Sequence, residues 1–254
     1  MTPLKEIATD TQVILVGQIK QTLRSKIAIV FGLLQPVLFL VFFGPLLQDI
    51  PLGGRGDSWQ TLVPGLLIQL GLFSSAFAGF GIIMEKQLGI VERLRVTPVS
   101  RLAMLLGRVL RDVLQLLVQS LLLLLVGVVM GLRAPVVGVA ISLVFVAMLG
   151  VSLASLSYAL GMRADTPQQF APVVNSINLP AMLLSGVLLP MALAPGWLDL
   201  ISHFVPFRYL VDGIRAAFVG DYGDGKVALA AVVALALCAV STVLGTHLFR
   251  RAGA

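Results

Sequence analysis

Between Met84 and Arg101 the chain carries Glu85, Lys86, Glu92, Arg93, Arg95 and Arg101, the densest run of charge in a sequence with little charge elsewhere. Acids and bases interleave here with no histidine, cysteine or paired carboxylates beside them. The chemistry on offer is therefore ion pairing and hydrogen bonding to a partner surface, not bond making. Leu88, Val91, Leu94 and Arg95 recur at three- and four-residue spacing, which predicts a short helix over 84–98 that includes Gly89. Thr97-Pro98 ends it, because the proline ring pushes the preceding residue out of the helical region. Ser100 then caps the next helix, with Arg101 just inside it. The blander reading is a solvated loop, with lipid phosphates as the counter-charge of Arg93 and Arg95.

Other spacings that could do chemistry fail on inspection. Gly220 to Lys226 has the form GxxxxGK, but Val227 stands where a phosphate loop needs a metal-binding hydroxyl, and no strand precedes it. His203 and His247 belong to no metal spacing, there is no GxSxG, and no span holds the paired acids of a proton-coupled carrier. Asp212 and Arg215 read as a local surface pair. No catalytic residue, metal site or bound cofactor is expected. What remains is a small set of polar side chains within apolar runs: Gln35, Gln69, Asn175, Asn178 and Ser185. An amide in hydrocarbon is costly unless paired, so these face a neighbouring helix or a cargo.

The elements that must position these residues are membrane helices. Of 254 residues, 58% are hydrophobic and 12% charged, half the charge of an average soluble domain at roughly a quarter, and the mean hydropathy is +1.00. A span needs ~20 apolar residues. Six segments qualify: 27–47, 62–83, 113–132, 136–160, 168–190 and 227–249. Residues 4–26 form an amphipathic stretch of the kind that lies in a membrane interface. Residues 190–219 are apolar but broken by proline, which suggests short re-entrant or interfacial helices. No separate soluble domain is expected, and the polar first 26 residues do not read as a cleavable signal.

Loops alternate between two faces. One face holds 13 of the 18 basic and 6 of the 12 acidic residues, so the faces carry +7 and −1. By the positive-inside rule the first, with both termini and the charged run, is cytoplasmic. The basic balance is a topology signal; basic patches interleaved with aromatics, as nucleic-acid binding requires, are absent. The lone Cys238 sits in an apolar run and reads as a packed thiol.

Glu85-Lys86, Gly89, Glu92-Arg93-Leu94, Thr97-Pro98-Val99-Ser100-Arg101 and Leu106-Gly107-Arg108 together resemble the membrane subunits of type-2 ABC exporters, near the daunorubicin-resistance permeases. Ile90 departs from the threonine of that pattern. Pro206-Phe207, Tyr209, Asp212-Gly213 and Arg215 are similar to the family's outer helix before the last span. The resemblance implies an all-α integral membrane protein of six spans with an N-terminal interfacial helix, a cytoplasmic coupling helix between spans two and three, and short outer helices between five and six. It implies a single transmembrane domain over 1–254 in a bacterial inner membrane. It implies two cytoplasmic ATPase subunits that carry the ATP and magnesium, and a second, identical permease. Glu85, Lys86, Gly89, Glu92, Arg93, Arg95, Thr97, Pro98 and Arg101 would contact the ATPase. The expected function is export of an amphipathic or hydrophobic compound. Alternatives are a polysaccharide or lipid-linked glycan permease, an ATP-independent channel or carrier, and a membrane-embedded enzyme.

Overall fold

The structure, a computed structural model, describes residues 11–18, 26–47, 57–90, 101–187, 191–223 and 225–252. The described residues are helices and turns, without strands. Helix α1 covers 11–18, the described part of the interfacial stretch. There follow α2 (Lys26–Leu47), α3 (Ser58–Ala76), α4 (Gly79–Gln87), α5 (Arg101–Met130), α6 (Val136–Arg163) and α7 (Pro167–Leu184). After a 3-10 turn at Met191–Leu193 come α8 (Gly196–Ser202), α9 (Pro206–Val219) and α10 (Gly225–Ala252).

Among the described residues four helices are long and apolar enough to cross a membrane: Ser58–Gln87 across its break, Ala103–Met130, Val136–Arg163 and Gly225–Leu248. The apolar part of α2, Gly32–Leu46, is shorter. Helix α7 has 18 residues, and Gln168, Gln169, Asn175 and Asn178 dilute its apolar character. The six-span expectation is thus met for four helices by length and composition.

Helix α3 is the centre. Every residue from Thr61 to Leu72 is buried, so the amphipathic pattern of a surface helix is absent there. Helix α6 is the second hub and packs against α3, α4, α5, α9 and α10. The short turn at 131–135 makes α5 and α6 antiparallel neighbours, and α3 packs against both. Small residues bring them close, as lipid-phase packing requires. A Cβ on Gly71 would lie 2.9 Å from a methyl of Leu149, and one on Gly150 would lie 2.9 Å from a methyl of Leu116. Gly65 is tighter still, since a Cβ there would overlap the carbonyl of Val187. Trp59 is buried: its ring fills the space left by Gly44 and borders Gly131.

The break between α3 and α4 at Phe77-Ala78 has no glycine or proline at its centre. It is held from another helix. The hydroxyl of Ser157 in α6 donates to the carbonyl of Ala76 at 2.5 Å and accepts the N–H of Gly79 at 2.8 Å. Two backbone groups that the interrupted ladder leaves unpaired are satisfied by one side chain. A Cβ on Gly161 would sit 2.7 Å from the carbonyl of Gly79, so only glycine lets the helices approach this closely. Ser157→Ala should cost about 1–3 kcal/mol, the penalty of orphaned buried polar groups. It should lower the thermal unfolding midpoint in detergent; an unchanged midpoint would show that the break stands without the hydroxyl.

Candidate functional site

The charged run begins where α4 ends, and its first residues are tied to two other helices. Arg108 of α5, 4% exposed, donates to Glu85 at 2.5 Å and bonds the carbonyl of Met104 in its own helix at 3.4 Å. Lys86 reaches the other way. Its ammonium donates to the carbonyls of Met162 and Ala164, at 3.2 and 3.0 Å, and lies 3.6 Å from the carboxylate of Asp165. A cation there satisfies carbonyls that the end of α6 leaves open. Gln87 adds a bond to the carbonyl of Asp165 at 3.3 Å.

Behind this layer is a second one. Arg111 and Asp112 pair at 3.1 Å, and the buried Tyr158 donates to Asp112 at 2.5 Å. These groups join α5 to α6 directly beneath the α4 contacts. Helix α1 crosses α5 here, at Gly107, where a Cβ would lie 2.7 Å from a methyl of Ile14. The base from which the charged run departs is therefore a braced junction of α1, α4, α5 and α6.

Gly89 then turns the chain. Its φ of +68° lies in the left-handed region, which glycine adopts without steric cost. The N–H groups of Leu88 and Gly89 close the last turn on the carbonyls of Met84 and Lys86, both at 3.0 Å. Met84, Leu88 and Ile90 are exposed apolar side chains at this end. Met84 to Gln87 thus belong to the helix that completes the second span. Glu92, Arg93, Arg95, Thr97 and Pro98 lie outside the described residues, and Arg101 opens α5.

The polar residues of the spans fall into separate groups. Gln35 and Gln69 meet at one cavity, where Gln115 and Gln119 of α5 join them. Asn178, 5% exposed, lines a different furrow between α3, α6 and α7, whose walls are otherwise mostly apolar and include Leu72, Leu153, Ile177 and Phe207. Ser185 donates to the carbonyl of Ala181, a local bond that closes α7. Asn175 is half-buried on α7. Sequence reasoning passed over Gln115 and Gln119. Their spacing of four, which stacks them on one helix face, is the signal that would have found them.

At the opposite end α9 shows the amphipathic pattern that its sequence predicts, with Leu210, Ile214 and Phe218 fully buried. Arg215 is more than a surface partner for Asp212, which it approaches at 3.7 Å. Its guanidinium donates to the carbonyls of Thr61 in α3 and Gly186 after α7, at 3.0 and 2.7 Å. Burial pulls its pKa down to about 10. Burial likewise raises that of Asp212, against the pull of Arg215 and Arg208. One buried cation thus bridges the ends of α3 and α7, and α9 carries it.

The described residues thus form a helical body with four membrane-span candidates and a braced, charged exit at one end. The family model for ABC-2 type transporters matches residues 9–219, and the chain belongs to that family. It is 28% identical over 200 residues to the transport permease ycf38 of Cyanophora paradoxa, covering 77% of this chain and 69% of that one. It is 25% identical over 223 residues to the daunorubicin resistance ABC transporter permease protein DrrB1 of Streptomyces coeruleorubidus, covering 87% and 79%. A doxorubicin resistance ABC transporter permease protein, DrrC of Mycobacterium tuberculosis, is 27% identical over 203 residues, covering 78% and 72%. The chain is a multi-pass membrane protein, and membership in this family implies an ABC ATPase partner.

Proposed function

We propose that this chain is the permease subunit of an ATP-driven exporter that moves an amphipathic or hydrophobic compound out of the cell. It sits in a bacterial inner membrane with both termini cytoplasmic. Two identical permeases form the pathway, and two cytoplasmic ATPase subunits bind the ATP and magnesium. The permease itself carries out no chemistry. The observation that carries the reading is the braced junction at Glu85 and Lys86. The chain after Gln87 leaves the membrane body from a base, Glu85 and Lys86, fixed by Arg108 and by the end of α6, so a push on it is delivered to α4, α5 and α6 together.

In this reading the exposed Met84, Leu88 and Ile90 supply shape fit to a groove on the ATPase. Glu92, Arg93, Arg95 and Arg101 supply charge pairing, and Gly89, Thr97 and Pro98 set the segment's bends. Glu85 and Lys86 anchor it. When ATP draws the two ATPase subunits together, the segment moves as a lever and the spans re-pack. A cargo of apolar character is favoured by the furrow beside Asn178, whose lining includes one aromatic ring, that of Phe207. Glycan paths need more aromatic surface for stacking. Names of the relatives favour a drug as cargo, since two of them denote resistance to daunorubicin and doxorubicin.

The test is co-purification. The tagged chain, co-expressed with a cytoplasmic ABC ATPase subunit from the same cell, is expected to retain it through detergent extraction and to change its rate of ATP hydrolysis. Transport by the purified chain alone, without any ATPase, would leave the channel or carrier reading standing instead.

A further inference from the structure

Helices α6 and α10 both start at the end of the bundle opposite the charged run, and they pack along each other. Toward the charged end they meet closely, since a Cβ on Gly245 would lie 2.7 Å from the carbonyl of Ser155. At their starts α9 is wedged between them. A Cβ on Gly138 of α6 would overlap the carbonyl of Ala217 in α9. One on Gly213 of α9 would overlap the methyl of Ala230 in α10 and lie 3.4 Å from the ring of Phe145 in α6. Beside this wedge the two helix starts enclose a groove of about 470 Å³, lined by Val136, Ala140, Val144 and Phe145 of α6 and by Val227 and Ala231 of α10. Every side chain that lines it is apolar. Val136, Ala140 and Val144 are exposed, so the groove opens on the outside of the bundle, where a membrane protein meets lipid.

Its depth and its mouth define the occupant. From Val136 to Phe145 the helix rises about 14 Å, close to half of a hydrocarbon core of ~30 Å. The groove is therefore one leaflet deep. At its mouth stand two exposed cations: Arg133 lies in the turn before α6, and Lys226 directly precedes Val227. The backbone of Arg133 is held by Gln60, whose amide donates to its carbonyl at 2.6 Å. Lys226 also acts on Asp212 of α9, which leaves Arg133 the stronger attraction for an anion. From this placement we infer that the groove binds one acyl chain of an anionic phospholipid from the leaflet at this end, with Arg133 and Lys226 on its phosphate. A dry cavity of about 150 Å³ already accepts benzene; this groove is larger and elongated, which suits a flexible chain. A second copy packed here about a twofold axis along the membrane normal would bring four cations to one level, and like charges at an interface are unfavourable. The inference needs only that the helices span a bilayer. It is independent of the cargo and of the ATPase.

The probe is a phosphatidylglycerol with a photoactivatable diazirine midway along one acyl chain, and phosphatidylcholine with the same chain is its zwitterionic counterpart. The whole chain is placed in nanodiscs that contain one or the other, irradiated and digested. Adducts should concentrate on 136–145 and 227–231, with phosphatidylglycerol favoured about tenfold, the effect of two basic side chains near a lipid headgroup, one of them shared. Arg133→Gln should lower that preference about fivefold, and Lys226→Gln by less. The pair Ala140→Phe/Ala231→Phe fills the groove and should cut the adducts of both lipids at this site severalfold. Thermal unfolding midpoints separate a filled groove from a misfolded chain, and Ala140→Leu alone reads the same effect with a smaller change of volume. Adducts spread evenly over the lipid-facing helices, or an equal yield once the groove is filled, would overturn the assignment. So would covalent dimers formed through Ala140→Cys in a Cys238→Ser background, which would show that a second copy covers the groove.

Discussion

Arg108→Leu is expected to lower the stability of the chain by about 3 kcal/mol and to uncouple it from its ATPase. The guanidinium is almost wholly enclosed, and removing it leaves Glu85 without its partner. Breaking a buried pair costs about 3–5 kcal/mol because the surviving charge is stranded. The lower end applies here, since the Glu85 side chain retains 22% exposure. The functional loss should be larger than stability alone explains, because α4 also loses its tie to α5. Permease-stimulated ATP hydrolysis should fall by about tenfold or more, the size of an ordinary coupling free energy. The double variant Glu85→Leu/Arg108→Leu removes both charges and should recover most of the stability. It should recover coupling only in part, because apolar contact is a looser tie than a hydrogen-bonded ion pair. Equal coupling in the single variant and the unaltered protein would show that the junction is not in the path of force.

Glu92→Arg is expected to abolish permease-stimulated ATP hydrolysis while the chain still inserts and folds. Glu92 lies in the polar run outside the spans, so a change of sign does not put charge into lipid. On a docking surface the same change places like charges together, which costs several kcal/mol and disfavours the correct complex. The measurement has two parts: the amount of chain in the membrane fraction, expected to be unchanged, and ATP hydrolysis by the complex, expected to fall to the level of the ATPase alone. Full stimulation with Glu92→Arg would count against the docking role of the segment.

Hydropathy made the long helices legible, because an uninterrupted apolar run of that length has few other uses. It said much less about α7, where Asn175 and Asn178 could face a neighbour, water or cargo. Nor could it show the break after Ala76. The hydroxyl of Ser157 that holds it lies about eighty residues away in sequence. The charged run stood out by composition. Its footing did not, because Glu85 and Arg108 are separated by the whole polar loop and meet only when α4 and α5 both pack against α6. The structure pairs Arg108 across helices, with Glu85 of α4. The glutamines were legible one at a time. Gln35 and Gln69 stood out in their spans, but that they share one cavity with Gln115 and Gln119 depends on helix rotation, which periodicity in a uniformly apolar run does not fix. Arg215 was misjudged for a related reason. A charge on an amphipathic helix reads as solvent-facing unless a second element, here the ends of α3 and α7, is known to cover it.

The most direct test of the coupling account is the accessibility of residue 93. In a chain with Cys238→Ser and Arg93→Cys, a membrane-impermeant maleimide should label inside-out vesicles and not right-side-out ones. Addition of the ATPase partner should protect the thiol. Labelling from the outside, or full labelling of inside-out vesicles with the ATPase bound, would contradict the account.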